Sequence, residues 1–232
     1  MKKLTLLFSM LFICLISFGQ SDNFEGKVTF DFSYEGADVS AYDFYLQKQS
    51  VYYFKDKDVR FEMIGGMASL MGSVLMDGDE RIAYTINDLQ KTAYIMDRDT
   101  SDNQTLEKDP NITITDTGII EEIYGYKCKK YKVVDAEEGT VLYIWLTTEL
   151  SFTNPEEYGG AAAGLFFPDT EGVMLKMESS MDMGDGTMLT VTQEVSSIDE
   201  TTQDATLFRI PADYEIKEFD PTAAFGAGQA GY

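Results

Sequence analysis

The sequence predicts a mainly β protein: a single curved antiparallel sheet forming an incomplete barrel, with short helical or loop segments over its concave face. Three observations predict it. Apolar and polar residues alternate with period two through most of the chain, as strands with one buried and one wet face require. The alternating runs are short and are separated by turns built from Asp, Asn and Gly, residues that tolerate the backbone angles of tight hairpins. No long run with helical periodicity interrupts them.

Residues 24–34, FEGKVTFDFSY, set Phe24, Val28, Phe30, Phe32 and Tyr34 against Glu25, Lys27, Thr29, Asp31 and Ser33. Residues 42–54 are rich in Tyr and Phe, and residues 55–58 make a polar turn to a partner strand carrying Val59, Phe61 and Met63. Residues 73–76, 81–86 and 92–96 read as three further short strands, joined by Asp77-Gly78-Asp79 and by Asn87-Asp88. Residues 97–111 are polar and read as a surface loop. Residues 119–134 form one long strand or two with a bend at Gly125. Residues 140–148, TVLYIWLTT, are apolar on both faces, so this strand belongs inside the sheet with cover on each side. Residues 173–181 and 187–195 flank Gly184-Asp185-Gly186 as a hairpin. Phe208-Arg209-Ile210-Pro211 closes the fold as a last short strand.

Two segments are not strands. Residues 63–76, MIGGMASLMGSVLM, space Met63, Met67 and Met71 four apart, which stacks them on one face of a helix, although Gly65, Gly66 and Gly72 weaken it. Residues 158–167, YGGAAAGLFF, end at Pro168. Both segments fit a lid over an apolar cavity or a plug that completes the core.

The chain begins as an export signal does. Lys2 and Lys3 precede an apolar run over residues 4–18, and Ser17-Phe18-Gly19 has the small-x-small pattern of a cleavage site. The run is short for a membrane span. A lipid-bearing role for Cys14 meets the bulky Ile13 where a small residue is wanted. The expected organisation is a cleavable signal over residues 1–19, one β-rich half-barrel domain over 20–219, and a flexible Gly/Ala-rich tail over 220–232. The mature protein is then periplasmic or secreted, with no integral membrane segment.

Composition excludes more chemistry than it suggests. Forty acidic and 18 basic residues give the 232-residue chain a net charge of −22, and signal removal makes it two units more negative. Such a surface repels nucleic acid and anionic headgroups. There is no histidine, so neither a Ser-His-Asp nor a Cys-His nucleophile can be assembled, and the commonest zinc ligand is missing. Cys128 is the only cysteine after the signal and cannot form an internal disulfide. The adjacent pairs Glu121-Glu122, Glu137-Glu138 and Glu156-Glu157 point to opposite sides of a strand, the wrong geometry for two acids flanking one bond. Asp56-Lys57-Asp58, Asp77-Gly78-Asp79-Glu80 and residues 182–185 resemble fragments of calcium loops without the full donor spacing. No catalytic residue, metal site or cofactor is expected.

Ile123-Tyr124-Gly125-Tyr126-Lys127-Cys128-Lys129-Lys130-Tyr131, followed by Tyr143-Ile144-Trp145, resembles the I-x-G-Y-x-C-x-K-Y … V-W signature of a group of secreted bacterial proteins, domain of unknown function 4412. The hairpin from Tyr52-Tyr53-Phe54 to Val59-Arg60-Phe61-Glu62-Met63 and the run Phe208-Arg209-Ile210-Pro211-Ala212-Asp213-Tyr214 resemble two further motifs of that group. The group is similar in outline to the LolA/LolB-like lipoprotein-carrier fold. That resemblance implies a non-enzymatic exported protein that binds or carries a lipid or acyl chain. The expected ligand-binding residues are Met63, Met67, Leu70, Met71, Trp145, Leu165 and Phe166. The alternative is a packed interaction module of the cell envelope, meeting a protein partner through its acidic surface or a strand edge.

Overall fold

The structure is a computed structural model, and it describes residues 23–98, 110–152, 162, 164–184 and 186–219. The expected signal, the tail and most of residues 158–163 lie outside the described residues.

Twelve strands form one curved sheet that does not close into a barrel. In chain order they are β1 (Gly26–Glu35), β2 (Gln49–Lys55), β3 (Asp58–Ile64), β4 (Ser73–Asp77), β5 (Ile82–Asn87) and β6 (Thr92–Arg98). Then follow β7 (Ile112–Ile123), β8 (Tyr126–Asp135), β9 (Thr140–Thr147), β10 (Val173–Asp182), β11 (Met188–Asp199) and β12 (Glu215–Glu218). The order across the sheet is β12-β6-β5-β4-β3-β2-β1-β11-β10-β9-β8-β7. Two meanders are therefore joined at the β1–β11 pair: one wing runs from β2 to β6, the other from β10 to β7.

Turn chemistry sets several registers. Ile123 pairs with Tyr126, leaving Tyr124-Gly125 as a two-residue loop, and both residues have positive φ, 51° and 85°. That is the backbone a type I′ hairpin demands. Asp77 caps its own turn, accepting from the backbone N–H of Asp79 and Glu80 at 3.1 and 2.9 Å.

Alternation divides the apolar side chains between two faces. On the concave face, Phe30, Tyr52, Phe54, Val59 and Met76 share one buried cluster with Ile144 and Leu146 from the other wing. The segment after β9 fastens this cluster. Phe152 packs on Phe24, Phe54 and Phe166 at ring-centroid separations of 5.1, 5.0 and 5.3 Å. Phe24 N–H donates to Ser151 O at 2.7 Å, and Met174 N–H to Leu165 O at 2.9 Å. On the opposite face, Leu75, Tyr84, Ile86, Ala93 and Ile95 form a second core beneath Phe208. Arg60 Nη1 and Lys55 Nζ hold that cover by donating to the carbonyls of Leu207 and Gln203 at 3.2 Å each.

The strand reading holds in most places and fails in two. The first part of residues 42–54 is not a strand; the chain makes a 3-10 turn at Ser40–Tyr42 and joins the sheet only at Gln49. The closing strand is not Phe208-Arg209-Ile210-Pro211. Ala205–Phe208 is a 3-10 turn capped by Asp204, and the last strand is Glu215–Glu218, paired parallel to β6. Pro211 has no N–H to give to a ladder, which displaces the strand beyond it. Of the helix and loop alternatives for residues 63–76, the structure forms no α-helix. Met63 belongs to β3, and Met67–Met71 is a single 3-10 turn. Gly66 and Gly72 bracket it at φ 63° and 84°, and a Cβ on Gly66 would come within 2.5 Å of Leu46 O. Close backbone approach, rather than helix packing, decides this loop.

Candidate ligand-binding site

A cavity of about 500 Å³ lies on the concave face of the second wing, between β7, β8 and β9 and the segment 167–170. Its floor comes from strand register. Ile114 pairs with Val133, Val133 with Leu142, and Asp116 with Tyr131, so Ile114, Val133, Leu142 and Tyr131 face the same side. Phe167 and Pro168 form the roof, which Thr170 locks by donating its hydroxyl to Phe167 O at 2.8 Å.

One end of the cavity is polar. Asp135 and Glu138 line it there, with Thr140 beside them. The Asp135 carboxylate is engaged in shaping the β8–β9 turn, accepting from the N–H groups of Glu137 and Glu138 at 2.9 and 3.1 Å. Ala136 N–H donates to Asn111 O at 2.9 Å and fastens this turn to the start of β7. The lining contains carboxylates, threonine hydroxyls and apolar side chains, and no cationic side chain. Such a surface suits an uncharged apolar body or one with a neutral or cationic head; a carboxylate head would meet Asp135 and Glu138.

The residues expected to bind ligand lie in three places. Trp145 is 2% exposed on β9, under Lys130 Nζ at 4.4 Å and Lys176 Nζ at 5.2 Å from its ring. Ile144 to Thr147 are all buried, which agrees with a strand covered on both faces. Leu165 and Phe166 are buried in the concave core and act there as packing between the wings. Met63 is half-buried on β3, while Met67, Leu70 and Met71 are exposed at the end of the first wing. None of the seven lines the cavity. Phe167, one residue beyond the expected pair, does. The alternating Ile112 and Ile114 of ITIT carry the signal for the cavity floor, between the loop read over residues 97–111 and the strand read from residue 119.

Cys128 is fully buried, with its thiol 3.6 Å from Tyr126 O, and burial pushes its pKa up to about 11. Among the described residues, no cluster of three or more Cys, Asp or Glu side chains is arranged to hold a metal ion, and no helix is long and apolar enough to cross a membrane.

The family model described as "Domain of unknown function (DUF4412)" matches residues 24–160. The chain belongs to this family. The match spans the first wing, the whole of β7 to β9 and hence the floor of the cavity. No curated protein matches the chain. Among solved structures, PNGF-II is similar at 16% identity and a TM-score of 0.49, over 85% of this chain and 31% of that one. This chain thus spans about a third of the PNGF-II chain. An uncharacterized conserved protein from Thermus thermophilus is similar at 10% identity and a TM-score of 0.46, over 85% and 91% of the two chains. A LolA superfamily protein from Nitrosomonas europaea is similar at 8% identity and a TM-score of 0.33, over 81% and 90%. The expected DUF4412 membership is met.

Proposed function

We propose that this DUF4412 protein is an exported, non-enzymatic binder of a lipid or another acyl-chain molecule, held in the cavity of the second wing. The cavity itself carries the reading. Its volume falls within the range of about 300–1,000 Å³ typical of small-molecule sites, and most of the lining surface is apolar, with the carboxylates of Asp135 and Glu138 at one end. The export reading is supported by the basic start, apolar run and small-x-small pattern of residues 1–19. The non-enzymatic reading is supported by the absence of histidine and by the engagement of Asp135 in turn hydrogen bonds.

The polar end sharpens the ligand class. An acyl chain with a neutral head, such as a monoacylglycerol, should bind better than the fatty acid of equal length. Titration with monododecanoylglycerol and with dodecanoate tests this, alongside the variant Val133→Phe, which fills the floor. The expected result is saturable binding of the neutral lipid, weaker binding of dodecanoate, and loss of both in Val133→Phe. Equal binding by Val133→Phe, or none by the unaltered protein, would contradict it. Mass spectrometry of solvent extracts from gently purified protein gives the same answer for a co-purified ligand.

A further inference from the structure

We propose that the end of the sheet formed by the β1–β2, β3–β4 and β10–β11 connections is a docking surface for a basic amphipathic segment of a protein partner. The antiparallel register brings these connections together. Gln49 pairs with Ile64, Glu62 with Ser73, Glu35 with Thr190 and Asp182 with Met188, so all three loops leave the sheet at one end. They also touch. A Cβ on Gly66 would meet Leu46 O at 2.5 Å, and one on Gly36 would meet Met188 O at 2.3 Å. The surface they make is apolar: Phe44, Tyr45, Leu70, Met71, Met183 and Met188 are exposed, with Phe44 at 67% and Met71 at 65%. At the opposite end, the β2–β3 and β4–β5 turns present Asp56, Lys57, Asp79 and Glu80 instead. The β7–β8 hairpin, also at that opposite end, exposes Ile119, Ile120 and Tyr124, but it stands alone there, whereas the three loops pack into one surface. Contiguous exposed apolar surface contributed by several loops marks an interaction site.

Charge decides the occupant. Glu35, Asp38 and Asp182 border the apolar tips and have no cationic partner among the described residues. Lys48 and Lys91, which lie at the same end, are already paired with Asp43 and Asp213. Apolar tips ringed by uncompensated carboxylates complement a helix or strand with Leu or Phe on one side and Lys or Arg on the other. Unbranched methionines suit such a partner because they repack around different apolar shapes. A bilayer is a poorer match, because docking the tips would press the carboxylates against headgroups. A second copy would bring like charges together.

This surface shares no residue with the cavity, and either proposal stands if the other fails. The experiment is calorimetric titration of the full chain with a helical Leu/Lys amphipathic peptide. It is run beside the exposed double variant Leu70→Ser/Met71→Ser and the opposite-end variant Asp79→Asn/Glu80→Gln. The expected result is binding that weakens with salt, falls about tenfold or more in Leu70→Ser/Met71→Ser, and is unchanged in Asp79→Asn/Glu80→Gln. Equal binding by all three proteins would show general attraction to a polyanion and overturn the proposal. So would preferential binding to phosphatidylcholine vesicles, or self-association through this end in sedimentation.

Discussion

The two wings of the sheet follow the same alternating rule and are filled differently. On the β2–β6 wing, both faces are covered: Phe54 and Val59 are fully buried on the concave side, and the C-terminal segment seals Leu75, Ile86 and Ala93 on the other. On the β7–β9 wing, the concave face leaves about 500 Å³ open under Phe167 and Pro168. Its other face is covered thinly, with Lys130 lying across Tyr143 and Trp145 at 4.5 and 4.4 Å. The lesson is that alternation specifies which side chains face inward, whereas covering segments determine whether that inward face becomes core or cavity.

The comparison breaks most sharply under core truncation. Phe54→Ala should cost about 3–5 kcal/mol, because Phe54 sits in an aromatic group with Phe24 and Phe152 and leaves an unrelaxed void. Leu142→Ala, which enlarges an existing cavity, should fall at or below the low end of the usual range, about 2 kcal/mol. Urea denaturation of both variants measures the gap; equal losses would mean the wings are packed alike.

Removing the cover of the first wing comes next. Phe208→Ala should cost about 3 kcal/mol and speed amide exchange in β4, β5 and β6 while leaving β8 and β9 unchanged. Exchange rising in both wings together would contradict their separate covers.

The cations over Trp145 contribute less. Lys130→Ala should lose roughly 0.5–2 kcal/mol and shift the emission of the only tryptophan in the chain. Unaltered emission would remove Lys130 from that ring. Cys128 offers a chemical check on the same wing. With its pKa pushed up to about 11 by burial, the thiolate fraction at pH 8 is on the order of one in a thousand. The thiol should react with Ellman's reagent only on unfolding.

The smallest effect concerns Asp58, at the charged end. Burial, with added repulsion from Asp77, Asp79 and Asp56, raises its carboxyl above the ordinary range despite the hydrogen bond from Gly78 N–H at 3.0 Å. A folded-state pKa above the unfolded one means that ionised Asp58 works against the fold at neutral pH, and that this cost fades as pH falls through the raised value. Asp58→Asn should therefore stabilise the fold at pH 7 by roughly a few tenths of a kcal/mol, seen as a slightly higher melting temperature, and the gain should shrink on acidification. A gain that grows towards low pH would reverse the sign of this effect.

Much of the sheet was legible because its signals are local. The strict alternation of residues 24–34, the bend at Gly125 and the two-sided apolar run of residues 140–148 each depend on a few neighbouring residues. The misread parts depend on distant contacts. Met67–Met71 follows the four-residue spacing of a helix, but Gly66 has to pass against Leu46 from another loop. The Phe208 run looks like a strand in isolation and is instead a lid held by Arg60. Phe166 and Phe167 read alike, since nothing local separates a phenylalanine that packs against Phe152 from the next one, which roofs a cavity.

The open space of the β7–β9 wing, as the seat of an apolar ligand, is tested most directly by methyl NMR of the full chain during titration with monododecanoylglycerol. Saturable shifts are expected at Ile112, Ile114, Val133 and Leu142, with Leu165 and the Met67–Met71 loop unmoved. Shifts centred on Met67, Leu70 and Met71, or no shifts at all, would contradict it.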